Sequence, residues 1–245
     1  HFGSAQAVFS KKPSVLQKII GVGQKLSNSL SDKSLLQNAE NEIRFLEKNQ
    51  DIHVLTYDEE NYPEKLKHCI DGPILLFAKG NLHLKNQKII SIVGTRQMTT
   101  YGMEFCEQLV AELSPFNPVI VSGLAYGVDI HAHKQALKNN LQTVACLAHG
   151  LHLVYPKVHK KYLNDICQNG GLLTDFTSID EPEKDNFLKR NRVIAGLSEA
   201  TVVIESAEKG GSLVTAEIAG SYNREVFAVP GKTTDKYSKG CNKLI

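Results

Sequence analysis

The chain has 245 residues, 42% hydrophobic and 22% charged, which is the balance of a globular protein with one large α/β domain and a small extra element. No apolar run approaches the roughly 18 residues of a membrane span, and the opening stretch HFGSAQAVF lacks the basic-then-apolar order of a secretion signal, so a cytoplasmic protein without a membrane partner is expected. A formal charge of +2 is too small to argue for a polyanion by itself, so any basic face has to be local.

Residues 1–50 read as a helical element. Leu16, Ile19 and Ile20 are spaced for one helix face. The turn Gly21-Val22-Gly23 follows, and a second helix opens at Gln24. A helix, a Gly-Val-Gly turn and a helix resemble a helix-hairpin-helix, which lays turn amides against a DNA phosphate. A packing role for the same turn is an equal alternative. Residues 35–48 continue as an amphipathic helix. The chain does not open on Met, and a fragment or a trimmed chain is expected.

From residue 51 a single larger domain is expected to run to residue 245. Residues 53–57 and 73–80 read as short strands, the second apolar and bounded by Pro73 and Gly80. Strand-then-helix repeats follow. Strands are expected at 89–93, 118–122, 143–147, 171–174, 200–204 and 225–229. Helices are expected from about Thr100, over 129–138, over 186–197 and from Ser212 to Ser221. This alternation predicts a Rossmann-like, doubly wound, mostly parallel sheet preceded by the small helical element. Five cysteines (Cys69, Cys106, Cys146, Cys167 and Cys241) form no CxxC pair, so neither a zinc site nor a disulfide framework is suggested and free thiols are expected.

Several of these strands end in small or glycine-rich turns: Gly94-Thr95-Arg96, SGLAYG at 122–127, His149-Gly150, Gly210-Gly211-Ser212 and Pro230-Gly231. In a parallel sheet those carboxyl ends share one edge, where glycines let the backbone approach a phosphate and helix amino termini face the groove. The dinucleotide fingerprint GxGxxG is absent after the first Rossmann strand, as is the phosphate loop GxxxxGK[ST]. This lowers NAD, FAD and ATP, and no cofactor is expected. Arg96 stands where it can reach a phosphate. Lys184, Lys189, Arg190 and Arg192 cluster around Phe187, the mix of cations and aromatic that single-stranded nucleic acid needs, although spacing alone favours a core position for Phe187. Lys157, Lys160 and Lys161 form another local group, which a solvated helical face explains better than a site. His131 and His133 lie two apart and so point to different sides of a helix, which favours structural roles over a metal.

These residues carry a family resemblance. VGTR (93–96) with TYG (100–102) resembles the opening motif of the DprA/Smf proteins. So do VSGLAYGVDIHAH (121–133), Tyr155-Pro156, RNRVIAGLS (190–198), GSLVTA (211–216), VFAVPG (226–231) and the closing GCNKLI (240–245). The resemblance runs in order from about residue 55 to 245. It implies a cytoplasmic, non-catalytic, dimeric bacterial protein that binds single-stranded DNA and helps load RecA in natural transformation. By motif it implies a phosphate on Arg96, a pocket lined by Ser122, Gly123, Gly211 and Ser212, Lys184 on the adjoining loop, and Phe187 and Arg190 at the rim. Asp129 is read as the cap of its helix, and Asn191 and Arg192 as supports. Many family members carry a further winged-helix-like domain that has no counterpart in these residues.

Two rival readings stand beside this. The architecture also resembles nucleoside-monophosphate phosphoribohydrolases, whose Pro-Gly-Gly-x-Gly-Thr loop is only partly echoed by EKGGSLVTAE (208–217), with Glu217 as the imaginable base. A scaffold with a vestigial pocket is the other, and the intact glycine turns and cations argue against it.

Overall fold

A computed structural model describes residues 2–245. The chain divides into two compact units, residues 1–50 and 51–245.

The first unit contains α1 (Ala5–Phe9), α2 (Pro13–Leu16), α3 (Gln24–Leu30) and α4 (Lys33–Lys48). Helix α2 stops at Leu16, so the expected apolar face is cut short. Leu16 is buried, while Ile20 lies in the following turn and is fully exposed. The turn needs Gly21, whose φ of +89° is costly for any residue with a Cβ, and Gly23 caps α3. Gln17 Nε2 donates to Ser27 Oγ across the turn at 2.8 Å. In α4, the Asp32 side chain accepts from the Ser34 amide at the amino end. Leu36 and Ile43 on this helix stay exposed.

The second unit is built on β1 (Ile52–Thr56), β2 (Leu75–Gly80), β3 (Ile89–Val93), β4 (Val119–Ser122), β5 (Thr143–Cys146), β6 (Gly170–Thr174), β7 (Ala200–Val203) and β8 (Glu225–Ala228). They form one sheet in the order β1-β2-β6-β5-β4-β3-β7-β8. The six strands from β6 to β8 are mutually parallel, and β2 joins β6 antiparallel with β1 antiparallel outside it. The helices are α5 (Glu64–Lys67), α6 (Thr100–Leu113), α7 (Val128–Lys138), α8 (Leu163–Gln168), α9 (Lys184–Leu197), α10 (Gly211–Ser221) and α11 (Lys239–Leu244), with 3₁₀ turns at Ser114–Phe116 and Lys157–Tyr162.

The central strands are apolar on both faces because helices cover both. On β4, Val119 and Val121 join the core that also holds Val193, Ile194 and Leu197 of α9. Ile120 between them points to the opposite core, with Cys106 and Val110 of α6 and Ala132 and Ala136 of α7. On β5, Val144 and Cys146 face the α9 side, while Ala145 packs in a third cluster with Ile166 of α8. This two-sided burial fixes the helices and holds the loops at the carboxyl ends of the strands in place. All five cysteines are free thiols.

Candidate nucleic-acid interface

The connection from β3 leads to β4 on one side, and the connection from β7 leads to β8 on the other. The loops after β3 and β7 therefore diverge, and the crevice they leave is the usual ligand position in such sheets. A cleft of about 530 Å³ occupies it, lined by the loops after β3, β4 and β7 and by one face of α9.

The loop carrying Arg96 is clamped from β7. The Thr95 amide donates to the Glu205 carbonyl at 2.8 Å, and the Thr99 amide and hydroxyl donate to the Glu205 carboxylate at 2.8 and 2.5 Å. Glu205 is buried, so its charge is satisfied by these donors rather than by water. Sequence reasoning missed this residue. The only signal was an acid placed directly after an apolar strand, where an unpartnered carboxylate is costly. The loop also leans on the start of α7, where the Val128 amide donates to the Thr95 carbonyl at 3.1 Å. That approach requires Gly127, which sits at φ +73° and whose Cβ would stand 2.2 Å from the Thr95 carbonyl oxygen.

Ser122 and Gly123 lie beneath the cleft. Ser122 is wholly buried and its hydroxyl donates to the Ile92 carbonyl at 2.6 Å. Gly123 is buried, and a Cβ there would stand 2.3 Å from Asp129 Oδ2 and 2.5 Å from Arg190 Nη1. The expectation that both line the pocket is therefore corrected: neither is in the lining, and they form the floor behind it, where the missing Cβ of Gly123 leaves room for Asp129 and Arg190. His133, fully buried, braces that floor. Its Nε2 lies 2.6 Å from the Gly123 carbonyl and its Nδ1 2.7 Å from Thr143 Oγ1, and burial pushes its pKa below the ordinary value. Asp129 does not cap α7, whose N-cap is Gly127. Its carboxylate instead accepts from the Ala125 amide at 3.2 Å and holds the β4–α7 loop.

Helix α9 turns one face to the cleft, presenting Lys184, Phe187, Leu188, Asn191 and Ile194 at helical spacing. The cation cluster expected from the sequence separates along this helix. Lys184 lines the cleft, whereas Lys189 does not. Arg192 points away, toward the Asp71 carbonyl and the Asp175 carboxylate. Arg190 is placed not at the rim but inside, 5% exposed, donating to the Cys146 carbonyl. Burial lowers its pKa, the Asp129 carboxylate opposes that shift, and a guanidinium stays charged in either case. Phe187 is half-buried rather than a core residue. The Arg96 guanidinium lies 5.3 Å from its ring centroid, that of Arg190 5.8 Å, and the Tyr155 ring meets it edge-on at 5.9 Å.

The third wall is the start of α10. Gly210 caps it without a side-chain bond, so the first amides of this 11-residue helix, at Gly211 and Ser212, face the cleft with the positive end of the helix dipole. The Ser212 hydroxyl bonds Ser206 Oγ at 2.9 Å, and Asn191 Nδ2 reaches the Gly211 carbonyl at 3.4 Å. Arg96 and Lys184 take part in no ion pair among the described residues, and the single carboxylate in the lining, Asp129, is engaged with Ala125. The cleft thus brings two cations without ion-pair partners among the described residues, a helix amino end and an aromatic ring together.

The family model of DNA recombination-mediator protein A matches residues 53–245. The chain belongs to the DNA recombination-mediator protein A (DprA/Smf) family. Among its relatives, Protein Smf of Synechocystis is 35% identical over the whole of this chain and 62% of its own length. DNA processing protein DprA of Bacillus subtilis is 39% identical over 80% of this chain and 66% of its own. The chain therefore spans about two thirds of these DprA/Smf relatives. The X-ray structure of DNA processing protein A from Streptococcus pneumoniae matches with a TM-score of 0.81 at 32% identity, covering 96% of this chain and 80% of that one. The Helicobacter pylori protein, whose structure concerns its single-stranded DNA binding mode, matches with a TM-score of 0.71 at 32% identity over 79% of this chain and 86% of its own. No group of three His, Cys, Asp or Glu residues able to hold a metal occurs among the described residues, and no helix among them is long and apolar enough to cross a membrane.

Proposed function

We propose that the α/β unit binds single-stranded DNA in the cleft between the β3, β7 and α9 elements. The observation that carries this reading is the convergence of two cations without ion-pair partners, Arg96 and Lys184, with the half-buried Phe187 and the first amides of α10. One phosphate sits between Arg96 and the Gly211 and Ser212 amides, where charge-assisted bonds and the helix dipole act together. A second is drawn by Lys184. A base stacks against the Phe187 and Tyr155 rings, a contact that every base can make. Arg190 packs against the Phe187 ring, with Ser122 and Gly123 supplying the floor. Such a site reads backbone and ring faces rather than base edges, so low sequence selectivity and strong salt dependence are expected.

Binding without bond-making is the reading the lining supports. A phosphoribohydrolase would need a free general base at the bound nucleotide, yet Asp129 is buried, accepts from the Ala125 amide and faces the charge of Arg190, and Glu217 lies outside the lining. Family membership and the Helicobacter pylori relative support a DNA-processing role that engages single strands; we further propose, as the family resemblance implies, that the whole protein acts in transformation as a cytoplasmic homodimer that delivers single strands to RecA.

The test is a fluorescence-anisotropy titration with one labelled oligonucleotide, single-stranded and as duplex, at two salt concentrations. Salt-sensitive binding that favours the single strand is expected. Binding to neither, with hydrolysis of AMP, would replace this reading by the enzyme.

A further inference from the structure

Arg96 lines a second groove as well as the cleft. Beyond it, away from Phe187, lies a groove of about 420 Å³ between the start of α6, the start of α7 and the 3₁₀ turn Lys157–Tyr162. Its cations are Arg96, Lys134 and Lys161, all exposed, and none is in an ion pair among the described residues. No carboxylate is in its lining, and Glu107, the acid that acts on His131, is tied to Lys138. The groove thus has an uncompensated positive field.

It also has a built aromatic platform. Tyr126 is 50% exposed, and its ring stands edge-on to His159 at 5.0 Å and 65°. His159 is buried and fixed by a 2.8 Å bond between its Nδ1 and the Leu124 carbonyl, with Tyr162 against its other side at 6.2 Å. Tyr126 is therefore held against His159 while half exposed in the groove lining. Met103 and Val158, 38% and 52% exposed, add apolar surface beside it. A pre-positioned aromatic face among unpaired cations is what stacking and phosphate contact require together. Nothing in the residue pattern joins these residues, because Tyr126 sits in a glycine turn, Lys134 on a helix and Lys161 in a lysine run that looks like a solvated face.

We propose that this groove is a second subsite for the same single strand, which leaves the cleft over Arg96 and stacks its next bases on Tyr126 while Lys134 and Lys161 take their phosphates. The proposal rests on the reading of the first cleft as a single-stranded DNA site. Arg96 is then the hinge of the path, contacting the phosphate between the two subsites. An acidic protein segment would suit the cations but would leave the half-exposed Tyr126 ring unused.

The experiment compares the unaltered chain with a triple variant, Tyr126→Leu, Lys134→Ala and Lys161→Ala, on oligothymidylates from about 3 to about 12 nucleotides. None of these residues belongs to the first cleft. The expected result is unchanged affinity for the shortest strands, which also shows the fold is intact, and a loss of roughly 10- to 100-fold for the longest, at the scale of one stacked base and two phosphates. The salt slope on the longest strand should fall by about 1.4, at about 0.7 per cation. A 2-aminopurine placed beyond the first few nucleotides should be quenched by the unaltered chain and not by the variant. Equal affinities at every length, or an equal loss at every length, would overturn the second subsite while leaving the first cleft standing. Failure of the unaltered chain to bind any strand would remove both.

Discussion

The α/β unit has a second cleft of similar size at the opposite, amino-terminal edge of its sheet, about 580 Å³ against about 530 Å³. That cleft holds more cations than the first: Lys65, Lys67, Lys85 and Lys88. Counted from sequence, it would be the better polyanion site. Each lysine is paired, however: Lys65 and Lys88 with Glu199 at 3.2 and 3.5 Å, Lys67 with Glu64 at 3.9 Å, and Lys85 with Glu60. The carboxyl-edge cleft has fewer cations, but Arg96 and Lys184 are in no ion pair among the described residues and helix amides stand beside them. Two things separate the clefts. The strand direction aims the α10 amino end at one edge only, and the acids are placed at the other. Cation number alone does not make a phosphate site.

The comparison can be broken or sharpened by mutation. The largest effect is expected from Arg96→Ala, which removes the cation that faces both the cleft and the groove beyond it. A loss of roughly 10- to 100-fold in affinity, from about 1.5–3 kcal/mol per charged contact, should appear in an anisotropy titration across all sequences. An unchanged affinity would take Arg96 out of the site. Phe187→Ala should cost about 1–3 kcal/mol of binding with the salt slope preserved, because stacking releases no counterions. A slope that falls with the affinity would mean the ring acts only by positioning Arg96.

A smaller effect is expected from acid. Burial holds the His133 pKa below 6.5, so the unfolded chain takes up a proton that the folded chain refuses. This contribution to stability is complete above that value and is lost as pH falls below it toward the folded pKa. Melting temperature should therefore drop more steeply between about pH 7.5 and about pH 5.5 for the unaltered chain than for His133→Gln. Parallel curves would show that the floor under Gly123 does not depend on this imidazole. The smallest effect is Glu199→Gln, which releases Lys65 and Lys88 at the amino edge. Exposed pairs contribute at most about 1 kcal/mol, so stability should hardly move, and a weak salt-sensitive gain in DNA binding of about twofold is expected. A large gain would mean that pairing, not the helix amides, is what separates the clefts.

Most of the fold was legible because the strands are short apolar runs, covered on both faces and punctuated by glycine turns. The parallel order from β3 to β8 follows from that alternation. The antiparallel joining of β1 and β2 left no signature, since an apolar run such as 75–80 has the same pattern in either direction. Arg96, Lys184, Phe187, Gly211 and Ser212, which the family resemblance implied for one site, line one cleft, although spacing alone favours a core position for Phe187. Arg190 and Ser122 were assigned too far toward solvent, because burial of a polar group depends on partners distant in sequence, here Cys146 and Ile92. Glu205 was missed for the same reason: its partners, Thr95 and Thr99, lie about a hundred residues earlier and only the fold brings them together. In residues 1–50 the helical spacing carried no information on where α2 would stop, and Ile20 was misplaced by the turn that begins at its end.

The most direct test is the salt dependence of single-stranded DNA affinity for two double variants, Arg96→Ala with Lys184→Ala and Lys65→Ala with Lys88→Ala. Both remove two positive charges, so a purely global effect of net charge would be the same in each. The slope of log affinity against log salt should fall by about 1.4 in the first, at about 0.7 per phosphate contact, and stay unchanged in the second. Equal changes in the two, or a larger change in the second, would contradict the assignment of the carboxyl-edge cleft as the DNA site.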